Sequence, residues 1–327
     1  MNKILFSEVV LLRKYAVHAS LAARYPNYTI NQINHDQRRN FTQDFWQSVS
    51  SSKLVNVLQE ATIQLHDTSG LPWWSTIIIS TVLLRGCITL PLALYQNRIL
   101  AKVERVTKEL PDLVNELKME TAIATKKFNW TEQQAKAMYN NSLNKLWKDL
   151  LVRDNCHPMK SAIVLVFQIP LWICQSVAIR NMLYMQPDPT SIQAQIVCAE
   201  MSLGGIAWFP NLVEVDHSFI LPVALGLINL AVLEIQTMSR KIQVNSKLQK
   251  YGQYFFRGIS ILMVPVAAFV PSGVALYWVS SSTFGLLQNL FILSPKVRRL
   301  ARIPKVDSEH EHPYKHIICK IRERIGK

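Results

Sequence analysis

Four apolar runs of membrane-crossing length punctuate the chain, at residues 73–95, 161–185, 219–238 and 273–293, and a shorter one of 13 residues lies at 258–270. About 20 apolar residues on a helix cross a ~30 Å hydrocarbon core, so the four long runs qualify by length. The short run crosses when paired with its successor through "VPSG", where Pro271 and Gly273 supply turn chemistry. The pattern predicts an all-α polytopic membrane protein with spans at about 73–95, 161–183, 219–238, 258–270 and 274–293. Residues 96–160 read as a helical hairpin. Pro111 suits the first position of a helix, "FNW" marks the turn, and Thr131 with Gln134 has capping-box spacing before a helix running to about Arg153. Ahead of the first span, Leu54, Val57, Leu58, Ala61 and Leu65 fall on one helical face, which predicts an amphipathic surface helix over 53–70. Trp73 and Trp74 follow it as interfacial anchors.

Charge fixes the topology of this pattern. The chain carries 36 Lys and Arg against 22 Asp and Glu, a net +14, and the excess alternates with the spans. Residues 96–160 hold 12 basic and 8 acidic side chains, 239–257 hold 5 basic and no acidic, and 294–327 hold 10 and 4. The 186–218 connection has no Lys or Arg, and carries Asp188, Glu200, Glu214 and Asp216. An odd number of spans demands this alternation. The positive-inside rule then puts the N-terminus and 186–218 outside, with the basic loops and the C-terminus inside. A basic excess distributed this way belongs to membrane topology, so a nucleic-acid partner is not expected. Residues 1–25 carry Lys3, Arg13, Lys14 and Arg24 against Glu8 alone, which suits an organellar transit peptide, and a polar linker follows to residue 52. The five cysteines are scattered, which supports neither a disulfide framework nor a zinc site. His310, His312 and His316 are the only histidine cluster, and a solvated basic tail is a poor place for a metal centre.

The chemistry lies inside the spans. Arg85 is the one charge among the 23 residues from Trp73 to Tyr95, and it sits near their middle. Placing it in hydrocarbon costs between about 3 and more than 10 kcal/mol, so it must face protein or water. On a uniform α-helix Thr81, Thr89 and Gln96 share its stripe. Polar residues recur at seven-residue spacing in three more spans: Ser161, Gln168 and Gln175; Asn229 and Gln236; Ser281 and Gln288. One polar residue per span is ordinary interhelical glue. Four polar faces with one arginine predict a hydrophilic groove. Glu234 is the only acid within a span; it is a possible charge partner for the groove or half of a structural salt bridge.

"WWSTIIISTVLLRGCITLPLALYQNRILAKVE" resembles the first core span of the YidC/Oxa/Alb membrane-protein insertases, mid-span arginine included. "FQIPLWICQSVAIRNM", "LGGIAWFPNLVEVDHSFILPV" and "VPSGVALYWVSSSTFGLLQN" are similar to their later segments and come in family order across residues 70–293. Within the family, "LPLALYQNRILAKVE", "AIRNM" and "INLAVLEIQ" most resemble the mitochondrial members that serve cytochrome c oxidase assembly. The resemblance implies five core helices around a groove open to the matrix and to lipid, with Arg85 as its central cation. It implies a multi-pass protein of the mitochondrial inner membrane, with its N-terminus in the intermembrane space. The implied client is the C-terminal tail of oxidase subunit 2, and the implied partners are membrane lipids and oxidase assembly factors. The sequence departs from relatives in two places: it has no large outer domain before the first span, and 34 residues follow Leu293, fewer than in ribosome-binding members. Stable ribosome docking is therefore not expected.

No phosphate-binding glycine loop and no nucleophile–base set is present, so neither an enzymatic activity nor a cofactor is expected. Two other functions compete with insertion: a non-translocating assembly scaffold, and a solute transporter. The second is disfavoured because internal repeats are missing and five spans do not halve.

Overall fold

The computed structural model describes residues 46–157, 159–160, 163–239, 247–307 and 309–326. The expected transit peptide and most of its linker, along with Ser161, lie outside the described residues. The chain divides into two compact units, residues 1–57 and 58–327. Of the first, residues 46–57 are described; there a helical turn closes through Ser51 N–H donating to Gln47 C=O at 3.0 Å.

The helices, in chain order, are α1 (Lys53–Ser69), α2 (Trp73–Leu84), a π-helical turn (Arg85–Thr89), α3 (Leu90–Phe128), α4 (Glu132–Arg153), α5 (Ile163–Leu183), α6 (Ile192–Leu203), α7 (Ile220–Ser239), α8 (Lys247–Ala268), α9 (Ser272–Leu293), α10 (Pro295–Leu300) and α11 (Pro313–Ile325). Among the described residues there are no strands, only two isolated bridges. By length and composition, Trp73–Phe128 and Ile220–Ser239 are long and apolar enough to cross a membrane.

Three differences from the sequence expectation have physical causes. Pro111 does not open a helix but lies inside α3, so the first apolar run and the first hairpin arm form one 56-residue helix. Second, the short apolar run 258–270 is the end of a 22-residue helix. Its first turns, with exposed Tyr251, Tyr254, Phe255 and Phe256, escape an apolar count because aromatics alternate there with Gln and Arg. Third, the basic tail is folded rather than solvated. Ile303 and Val306 are buried against Ala101 of α3. Arg105 donates to Lys305 C=O at 3.3 Å, and Lys108 pairs with Asp307. The Asp307 carboxylate raises the Lys108 ammonium above its usual range. Further on, Lys320 Nζ donates to Met238 C=O at 3.0 Å, a cation on the last turn of α7.

The turn and the start of the second arm lie where the capping-box spacing puts them. Asn129 adopts a left-handed conformation (φ 49°) to end α3, and Thr131 and Gln134 make both bonds of the capping box that starts α4. The arms meet through buried Ile99, Val106, Leu150 and Leu151. Arg153 forks onto Glu109 at 2.7 Å and Asp154 at 3.1 Å, which holds the Asp154 carboxyl below its ordinary range. The largest core gathers around α9, against which α2, α5 and α7 pack. It includes Trp73, Ile77, Ile179, Met201, Leu212 and Tyr277.

Candidate functional site

Arg85 opens the π-helical turn Arg85–Thr89. A cause lies six residues on: Pro91 has no N–H, and in a regular α-helix its ring would crowd the Cys87 carbonyl. Widening the turn relieves that contact. The Arg85 carbonyl takes the Leu90 N–H five residues on, and also the Thr89 hydroxyl at 2.9 Å. Such wide turns recur at functional sites.

The Arg85 side chain reaches α9, where a Cβ on Gly285 would lie 3.5 Å from Nη1. That is ordinary van der Waals distance, so the guanidinium packs directly against this helix. Tyr277, on the same helix, is its electrostatic neighbour. Among the described residues no carboxylate forms an ion pair with Arg85. Glu234, the other candidate charge, pairs instead with Arg257 of α8.

The remaining stripe residues fall into three groups. Thr81 and Thr89 are buried, and each donates its hydroxyl to its own helix, Thr81 to Ile77 C=O at 2.7 Å. Among the described residues, Gln175, 2% exposed, has no partner for its amide oxygen, and Gln288 Oε1 is likewise buried and unbonded. Ser281 is buried on α9. Gln96, Gln168 and Asn229 are half-buried, and Gln236 is exposed. Gln96 lies beyond the wide turn, which adds one residue to the helix and displaces it by about 100° from the uniform-helix stripe. Thus α2, α5 and α9 bring Arg85, Gln175, Ser281 and Gln288 onto packed helices. No hydrogen bond among the described residues ties Arg85 to Gln168, Asn229 or Gln236.

One end of the bundle is closed by the 186–218 connection. Trp73 Nε1 donates to Glu200 at 3.1 Å, and Trp74 N–H to Gly204 C=O at 3.0 Å. Any Cβ on Gly204 would meet Trp73 at 2.8 Å, and one on Gly205 would lie 1.9 Å from the Phe209 carbonyl oxygen. Ser272 N–H donates to Glu214 C=O at 2.7 Å, and Gly273 N–H to Leu212 C=O at 2.9 Å. Buried Asp216 caps α7 by accepting from Leu221 N–H at 2.8 Å and Ser218 N–H at 3.0 Å. Sequence reasoning counted Glu200 and Asp216 only as outer charges. The available signals were the Asp-His-Ser capping pattern before an apolar run and the Gly204–Gly205 pair.

His310 and His316 stack at 3.8 Å beside Arg298 and Glu309, and His312 precedes α11. Among the described residues no group of three or more side chains could hold a metal ion.

Comparison with known proteins places this geometry in context. A family model described as 60Kd inner membrane protein matches residues 64–299, a segment containing every stripe residue from Thr81 to Gln288. The human cytochrome c oxidase assembly protein COX18, mitochondrial, is 41% identical over 275 residues, covering 84% of this chain and 81% of its own. The mouse protein of that name is 42% identical over the same length. The Arabidopsis thaliana mitochondrial inner membrane protein OXA1 is 27% identical over 250 residues, covering 76% of this chain and 52% of its own.

Proposed function

Because the chain belongs to the 60Kd inner membrane protein (YidC/Oxa1) family, we propose that it is a mitochondrial inner-membrane insertase acting in cytochrome c oxidase assembly. Its client is the C-terminal tail of oxidase subunit 2, moved from the matrix to the intermembrane space. The five spans are residues 73–95 (α2, the wide turn and the start of α3), α5, α7, α8 and α9; residues 96–160 and the tail lie in the matrix, and 186–218 faces the intermembrane space. Residues 1–25 act as the transit peptide and α1 lies on the membrane surface.

The observation that carries this reading is Arg85, a cation within an apolar run with no carboxylate partner among the described residues, held at a wide turn against Gly285. A polar chain crossing hydrocarbon loses its hydrogen bonds at several kcal/mol per group. The stripe offers substitutes: the unbonded amide oxygens of Gln175 and Gln288 accept from client N–H groups, and Arg85 attracts client carboxylates. A membrane potential positive outside adds about 2.3 kcal/mol per acidic charge per 100 mV in the outward direction. The packed 186–218 end makes the groove a half-channel, hydrated from the matrix.

The test is Arg85→Ala in cells depleted of the native protein, scored by protease exposure of the subunit 2 tail from the intermembrane-space side. Loss of exposure with subunit 2 still in the membrane supports the groove. Unchanged exposure removes Arg85 from the mechanism, and lost oxidase with normal export points to an assembly scaffold.

A further inference from the structure

The helix α6 has two apolar faces, and only one is covered. At about 100° per residue, Val197 and Met201 lie together on one side, buried at 5% and 0% exposure in the main core. Ile192, Ile196, Ala199 and Leu203 fall within about 60° of one another on the opposite side. Ile192, Ile196 and Leu203 are 75%, 52% and 87% exposed. The chain that follows adds exposed Ile206 and Trp208. In water each such side chain forgoes about 1.5–3 kcal/mol of burial, and a continuous apolar stripe marks an interaction surface.

The polar residues flanking the stripe narrow the occupant. Glu200 accepts the Trp73 indole N–H, Gln195 donates to Pro189 C=O at 3.1 Å, and Ser202 donates to Ala199 C=O at 2.6 Å. Each is satisfied within the chain. A protein interface carries a polar rim and favours arginine, whereas residues 186–218 hold no Lys or Arg. The two neighbouring helix ends continue the apolar surface, with Tyr184 beyond α5 and Phe219, Ile220 and Val223 at α7 all exposed.

We infer that α6 is an interfacial membrane helix, which lays the Ile192–Ile196–Ala199–Leu203 stripe into the acyl chains of the leaflet on the 186–218 side. Its other face is bolted to the start of the long first helix through Trp73, Trp74 and Gly204. Lipid contact at α6 therefore fixes the depth at which that helix, and the Arg85 turn within it, sits in the bilayer. The inference rests on the membrane placement proposed above, and not on the client or the direction of transfer.

A photo-crosslinking amino acid placed singly at Ile196, Leu203, Val223, Leu227 and Lys118 of the full chain tests it, both in phosphatidylcholine–cardiolipin liposomes and in native mitochondrial membranes. Val223 and Leu227 report the exposed face of α7 and Lys118 the hairpin. Mass-shifted lipid adducts at Ile196 and Leu203, matching Val223 and Leu227 and absent at Lys118, are expected. Adducts at Val223 and Leu227 but not at the α6 positions overturn the inference and leave the membrane placement standing. A protein adduct at Ile196 or Leu203 in native membranes overturns it in favour of a protein partner. If no position captures lipid, the membrane placement itself fails.

Discussion

Two regions of one bundle handle buried polar groups in opposite ways. At the 186–218 end, the carboxylates of Glu200 and Asp216 and the backbone of Gly204 and Ser272 all find partners. Elsewhere in the bundle, among the described residues, Gln175 and Gln288 keep buried amide oxygens unbonded, and Arg85 has no carboxylate partner. An unmade buried hydrogen bond costs about 1–3 kcal/mol, so the second region is less stable than its composition allows. The half-channel proposed above calls for that combination: a seal that does not yield, beside a lining whose hydrogen bonds a client would complete.

Substitutions separate the two regions. Gly205→Ala forces a Cβ into the Phe209 carbonyl; it is expected to abolish the folded protein, read as loss of the monodisperse peak in detergent. Asp216→Ala leaves three donor groups unpaired and should cost about 2 kcal/mol, measured by thermal unfolding in detergent, with Asp216→Asn milder. Arg85→Ala should leave unfolding unchanged or raise it, while slowing client export roughly tenfold, equivalent to about 1.4 kcal/mol of barrier. In Gln175→Leu a gain of about 1 kcal/mol in stability should accompany reduced export. If the Gln175 and Arg85 variants instead lose as much stability as Asp216→Ala, the distinction between seal and lining collapses. The smallest effect belongs to Lys108→Ala: the Lys108–Asp307 pair is highly exposed, and no measurable shift in unfolding is expected.

Much of this was legible in the sequence. Hydrophobic runs located α5, α7 and α9 to within a few residues, and Thr131–Gln134 announced the start of α4, because burial and capping are local signals. Arg85 stood out since a charge in an apolar run has few explanations. The long-range features were hidden. Periodicity assumes a uniform helix, so it missed the wide turn that contains Gly86 and precedes Pro91. Proline chemistry suggested a helix start at Pro111, but α3 continues through it. The tail read as solvated because its buried residues, Ile303, Val306 and Ile317, are few and scattered among ten basic ones. The close fit of Gly204 depends on Trp73, more than a hundred residues away.

The wide turn at Arg85 has a mechanical consequence. A π turn is one surplus residue in a helix, and relaxing it to α geometry would rotate everything beyond it by about 100°. Everything beyond it includes the whole of α3, a continuous rod to Phe128. The geometry of the turn therefore sets the direction in which the hairpin arm leaves the bundle. The turn makes Arg85 and the hairpin arm parts of one shaft.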